Sequence, residues 1–355
     1  MRRALGFGLA LALLAPVTAA QAAGGQACTE DRGQSLIDAG RYRLAIREFT
    51  CVIDTEPTGV VGYVGRIEAQ LLLGRYSDAL ADYNRITTVV MPIHPDAEAD
   101  ILDAYAARLA AVPGDIPALT GASFAYWWAF DYVHAIQLLN DLLDVRGDDP
   151  YGNLFRGSSR VLHGGPTPPG VADLERGIDL DPENPNVRWI VADAYTYGLP
   201  DPERAFAEAS LALDGGLDTP RVHAILASAE NAFGNLEAAA AHIARHIELV
   251  TTELVTTPSL PAGAVLSVDL VPGRTYEVPL DATAGATISV ATSSGDMWDS
   301  IAVLLGPDGS PVVGSDDDAG YFAAFDWVPP ATGTYRLLVT SFEAISTGQL
   351  DVSRD

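Results

Sequence analysis

One six-residue phrase occurs twice, and its spacing constrains this chain more than any other feature. Gly40-Arg41-Tyr42-Arg43-Leu44-Ala45 and Gly74-Arg75-Tyr76-Ser77-Asp78-Ala79 lie 34 residues apart, and the correspondence continues from Phe49 to Tyr83. A fixed period of that length marks a helical hairpin that stacks on copies of itself, since one hairpin cannot bury its apolar face alone. Arrays of this kind present a surface on which another molecule is held, so the class of function indicated is binding.

From Asp31 to about Val255 the apolar residues recur at helical spacing, broken by Gly and Pro at intervals suited to short turns. In the first unit Gly40 ends one helix, Tyr42 and Ala45 open the next, Phe49 fills the space one turn later and Pro57 closes the unit. Small residues are needed where helices cross closely. On these residues the stretch resembles the tetratricopeptide repeat family, whose 34-residue helix-turn-helix units stack into a superhelix. A third unit follows around Asp131-Tyr132, Ala135 and Leu139, with Phe130 in place of the turn glycine and an additional helix expected over 96–111. Further units span 151–182, 186–217 and 221–249, giving six in all.

The resemblance implies a concave groove lined by the first helix of each hairpin, holding a peptide or a partner helix. Phe124, Trp127 and Trp128 stand at i, i+3 and i+4, and alignment to the family turns that face toward the groove. They are the candidate ligand-binding residues, because rigid aromatics make effective interface anchors. The competing reading packs the same rings against the helix at 96–111.

Beyond residue 255 the texture changes. A linker is expected over 256–263, followed by eight short β-strands between 264 and 355, enough for an antiparallel sandwich. The segments Trp298-Asp299-Ser300-Ile301-Ala302-Val303-Leu304-Leu305-Gly306-Pro307-Asp308-Gly309, Ser315-Asp316-Asp317-Asp318 and Pro330-Ala331-Thr332-Gly333-Thr334-Tyr335 resemble the bacterial pre-peptidase C-terminal domain. Some members of that family bind calcium or matrix polymers such as collagen. Asp299, Asp316, Asp317 and Asp318 offer the hard oxygen ligands calcium prefers. They equally make a solvated acidic turn, and no cofactor is required by the sequence.

At the N-terminus, Arg2 and Arg3 precede an apolar run from Ala4 to Val17, and Ala20-Gln21-Ala22 offers a cleavage site. Residues 1–22 therefore read as a signal peptide, the run being shorter than the roughly 20 residues a bilayer crossing needs. The fold expected after its removal is an α-solenoid over 26–255 joined to the β-sandwich, in a secreted or periplasmic protein. If antiparallel helices occupy 31–39 and 43–54, the start of the first lies beside the end of the second. Cys28 and Cys51 are then placed for a disulfide, in keeping with an oxidising compartment.

The formal net charge is -26, and all 21 fixed side-chain cations are arginines, because the chain has no lysine. Counterion-release binding to nucleic acid needs clustered cations, and none stands out. A lysine-dependent phosphate loop and a Schiff base are excluded with lysine. His242 and His246 fall at i, i+4, but Ile243 stands where a zinc-peptidase motif requires glutamate. The chain thus reads as an exported, non-catalytic adaptor for a protein or peptide partner. A secreted hydrolase or metal-dependent enzyme and a purely structural envelope scaffold are the rival readings.

Overall fold

A computed structural model describes residues 28–91, 93–94, 96–165, 167–294, 299–315, 322–342 and 348–354; the signal segment expected at 1–22 lies outside them. Among the described residues, α1 (Glu30–Asp38) pairs with α2 (Tyr42–Thr55), and α3 (Val60–Leu72) pairs with α4 (Tyr76–Arg85), which runs on through a π-helical turn at Ile86–Val90. The extra helix α5 (Ala97–Ala111) follows. Four more hairpins complete the array: α6 (Ile116–Trp128) with α7 (Tyr132–Val145), α8 (Pro150–Gly164) with α9 (Pro168–Leu180), α10 (Pro185–Tyr197) with α11 (Pro202–Asp214), and α12 (Pro220–Ala232) with α13 (Leu236–Val250). The six hairpins and the intervening helix stand where the sequence placed them.

Local chemistry explains the helix boundaries. Asp149-Pro150, Thr167-Pro168, Asn184-Pro185, Asp201-Pro202 and Thr219-Pro220 open α8 to α12. In each pair the capping side chain accepts a hydrogen bond from an otherwise unpaired first-turn amide. The proline brings no N–H to leave unsatisfied. At the hairpin turns Gly40, Gly74 and Gly234 take φ of 67, 74 and 78°, a left-handed conformation that costs glycine little. Phe130 holds φ 58° at the corresponding place.

The helices cross on small residues. A Cβ on Gly33 of α1 would stand 2.5 Å from the Phe49 ring, and one on Gly65 of α3 would stand 2.2 Å from it, so α2 lays its aromatic between two bare backbones. Arginines then tie successive hairpins together. Arg66 of α3 makes two hydrogen bonds to Asp82 of α4 and one to Thr50 of α2, and Arg156 of α8 does the same with Asp173 of α9 and Asn140 of α7. The Cys28–Cys51 disulfide closes the first hairpin, with Cα atoms 6.0 Å apart.

Among the described residues the β part has nine strands. These are β1 (Glu253–Thr256), β2 (Ala264–Leu270), β3 (Arg274–Ala282), β4 (Ile288–Ser293), β5 (Ser300–Leu305), β6 (Pro311–Ser315), β7 (Ala324–Trp327), β8 (Gly333–Ser341) and β9 (Gly348–Arg354). They form a five-stranded sheet in the order β1-β3-β8-β5-β6 and a four-stranded sheet in the order β2-β9-β4-β7. All pairings are antiparallel except β1 with β3.

Two differences from the expected organisation arise at the boundary. First, β1 begins at Glu253, directly after α13, within the stretch expected to be helical. Second, the stretch expected as a linker is laid along the sheet. Thr257 and Leu260 donate their N–H groups to the carbonyls of Glu277 and Pro279, and Leu260 is buried in the sandwich core. Gly263 adds a bond from its N–H to the Arg354 carbonyl. A proline-bearing segment cannot supply a full ladder, which is why the stretch holding Pro258 and Pro261 forms no long strand.

Strand β5 is buried along its whole length. Ala302 and Leu304 face the sandwich core, while Ile301, Val303 and Leu305 pack with Ile243 and Ile247 of α13 and with Phe342. A strand covered on both faces reads as an unbroken apolar run, here Ile301 to Leu305, instead of an alternation. The five-stranded sheet is therefore sandwiched between its partner sheet and the last helix of the array.

Candidate partner-binding surface

The inner face of the array is where a helix or peptide was expected to lie, and a helix does lie there. It is the chain's own α4. Tyr76 sets its ring 5.7 Å from Tyr151 and 5.4 Å from Phe155 on α8, and Tyr83 sits 6.0 Å from both Phe124 and Trp128 on α6. At the other end the Ser77 N–H and hydroxyl both donate to Asn186 Oδ1 at 2.8 Å, while Asn184 Nδ2 donates to the Gly74 carbonyl at 3.1 Å. Helix α4 thus crosses α10, α8 and α6 in turn.

The α8 residues it meets, Tyr151 and Phe155, lie on the opposite side from Gly157 and Arg156, which face α9. Tyr76, Leu80 and Tyr83 fall at i, i+4 and i+7 and are all buried, the anchor spacing of a helix held in a groove. Helix α5 packs against both α6 and α3. Its Tyr105 hydroxyl packs where a Cβ on Gly121 of α6 would be, and its Arg108 binds Glu68 of α3 at 2.6 Å. Burial pushes the Glu68 carboxyl up to about 7, against the pull of that guanidinium.

This placement corrects the reading of the aromatic trio. Phe124 and Trp127 are 0% and 5% exposed, and Trp128 is half-buried. Phe124 stacks with Trp127 at 6.0 Å and meets Phe155 edge-on at 5.8 Å, and the Trp127 indole N–H donates to Ser158 Oγ. Tyr83 of α4 packs on Phe124 and Trp128, so no open aromatic patch results. Ile101 and Tyr105 of α5 also reach this cluster, in a gap of about 10 Å³ beside Phe124.

Where the array meets the sandwich, a cavity of about 170 Å³ is lined by Leu80, Trp189, Arg221, His246, Val250 and Phe342, among others. His242 and His246 do not share a site. His246 points into the junction, with Nδ1 2.9 Å from the Pro220 carbonyl and Nε2 against the Phe342 carbonyl. Burial pushes its pKa down to about 4, although both carbonyls pull the other way. His242 instead faces His223 of α12, Nδ1 to Nδ1 at 2.9 Å, and His223 Nε2 donates to Asp218. This contact was not legible, because it depends on the α12–α13 register and not on spacing within one helix.

One open cleft, about 500 Å³, lies on the exposed flank of α2. It is lined by Arg43, Ile46, Arg47, Leu73 and Arg75. Of the carboxylates considered for calcium, Asp316, Asp317 and Asp318 lie outside the described residues, and Asp299 immediately precedes β5.

No family model matches the chain, and no curated protein does. Among solved structures, the helical part is similar to a tetratricopeptide repeat protein from Parabacteroides merdae, with 17% identity over 62% of this chain and 77% of that one at a TM-score of 0.38. It is also similar to PilF of Pseudomonas aeruginosa, with 14% identity over 62% and 89% at 0.34. The β part is similar to the pre-peptidase C-terminal domain of a Bacillus anthracis collagenase, with 12% identity over 29% of this chain and 94% of that domain at 0.24. Likenesses of this order concern fold alone.

Proposed function

We propose that this chain is a non-catalytic, exported adaptor that binds a protein partner on the outer surfaces of its helical array and presents the β-sandwich to a second surface. The observation that carries the reading is the junction. Ile243 and Ile247 of α13 share one buried core with Ile301, Val303 and Leu305 of β5, so two recognition modules are held at one fixed geometry. A flexible tether allows many separations between two bound surfaces; a shared apolar core allows one. Since α4 already covers the inner face, the partner is met from outside it. Export is supported by Arg2, Arg3 and the apolar run that follows, and by the Cys28–Cys51 pairing, which persists in oxidising compartments.

The test uses the intact chain. Chemical cross-linking in the envelope of the producing cell, followed by reconstitution from purified components, is expected to return a stoichiometric complex with an exported protein. A panel of hydrolase substrates, with and without added divalent metals, is expected to show no turnover. Turnover in that panel, or no partner that reconstitutes stoichiometrically, overturns the adaptor reading.

A further inference from the structure

The arginines of this chain are, with few exceptions, spoken for. Arg66, Arg108, Arg156, Arg160, Arg188 and Arg221 each grip a carboxylate of a neighbouring helix or turn at 2.5–2.9 Å. Arg43 and Arg47 depart from that pattern, as do the isolated Arg41 and Arg85, and of these four Arg43 and Arg47 alone line a cleft together. Both are exposed on α2, and among the described residues neither makes an ion pair, in a chain whose net charge is -26. They also stand at i, i+4, where two like charges mildly disfavour the helix. Arg75 joins them across the cleft, held only by an exposed pair with Asp78, a type of contact worth little and readily exchanged.

We infer that this cleft is a docking site for an acidic, extended segment of a protein partner, with side-chain carboxylates on alternate residues. Successive turns of α2 put Arg43 and Arg47 about 6 Å apart along the helix axis. Carboxylates at i and i+2 of an extended chain are spaced by about 6.6 Å, so one segment can meet both guanidinium groups. Ile46 and Leu73 form the apolar part of the lining, against which the methylenes of a glutamate pack. The rest of the molecule's charge favours a short segment over an extended anionic surface. At physiological salt the arginines are felt over about 8 Å, whereas a membrane would be brought against the acidic remainder of the chain. This inference rests on the adaptor reading and names the chemistry of its partner.

The experiment is fluorescence anisotropy on the intact, oxidised protein. The probes are a labelled decapeptide alternating glutamate with serine and its counterpart with glutamine for glutamate. The acidic peptide is expected to bind, the glutamine peptide to bind at least tenfold more weakly, and the R43Q/R47Q variant to lose at least tenfold for the acidic peptide, while R176Q binds as wild type. Helical circular dichroism of R43Q/R47Q is expected to match wild type, as both side chains are exposed. Absence of binding, equal binding by the glutamine peptide, or wild-type binding by R43Q/R47Q overturns the site. So does preferential capture by phosphatidylglycerol vesicles or displacement by inorganic phosphate. Because the peptide is supplied, these outcomes are independent of whether a physiological partner is recovered.

Discussion

His246 shows how a single side chain is set by its surroundings. Held down at about 4 by burial, the ring is neutral in the folded protein at pH values where an unfolded histidine, near 6.5, takes up a proton. Between these values the unfolded chain binds more protons, so stability is full above about pH 6.5 and falls as the pH drops toward 4. The shift corresponds to about 3 kcal/mol. Chemical denaturation across pH 4 to 7 is expected to show this slope in the wild type and a shallower one in H246Q. Phe130 makes a second point at the same scale. It is 76% exposed and holds the left-handed φ of 58° that glycine holds at sister turns. A left-handed conformation costs a non-glycine residue roughly 1–2 kcal/mol, so F130G is expected to raise stability by about 1 kcal/mol in denaturant unfolding, net of the entropy glycine loses.

At the scale of elements, the hairpins rest on positions where backbone meets ring. Phe49 leaves no room for a Cβ on Gly65, so G65A is expected to cost about 1–3 kcal/mol by overpacking, measured as a lower denaturation midpoint at an unchanged slope. Much at this level was legible in the sequence. The Gly-Arg-Tyr echo gave the first two hairpins and their register, and the Cys28–Cys51 pairing followed from it. The cap-proline pairs at 149, 167, 184, 201 and 219 come every 17 or 18 residues, half the hairpin period, and announce α8 to α12, every helix of the last three units except α13. That signal was available for units whose other likenesses were weaker. What escaped was any placement set by long-range contact. Whether Phe124 faces solvent or a covering helix depends on where α4 goes, and α4 carries no local mark of its destination. Likewise β1 is only four residues long and pairs with a strand some twenty residues ahead, too short for an alternation to register.

Taken whole, the molecule is tied across its length. The α13–β5 core means that array and sandwich share buried surface, so scanning calorimetry of the oxidised protein is expected to show one joint unfolding transition. Replacing Ile243 with asparagine puts an amide without an assigned partner into that core, a loss of the order of 2–5 kcal/mol. The expected outcome for I243N is two separated transitions; a single transition lowered in temperature would mean the modules are coupled elsewhere.

The lodging of α4 against α8 and α10 bears on how such a chain can change over generations. A stack whose units touch only their neighbours can gain or lose a unit and remain a stack. Here Ser77 is bonded to Asn186, 109 residues away, so duplication or deletion of any hairpin between them would carry Tyr76 and Tyr83 past the rings they meet. The number of units is locked, and variation is left to the outer flanks, which is where the unpaired arginines of α2 are found.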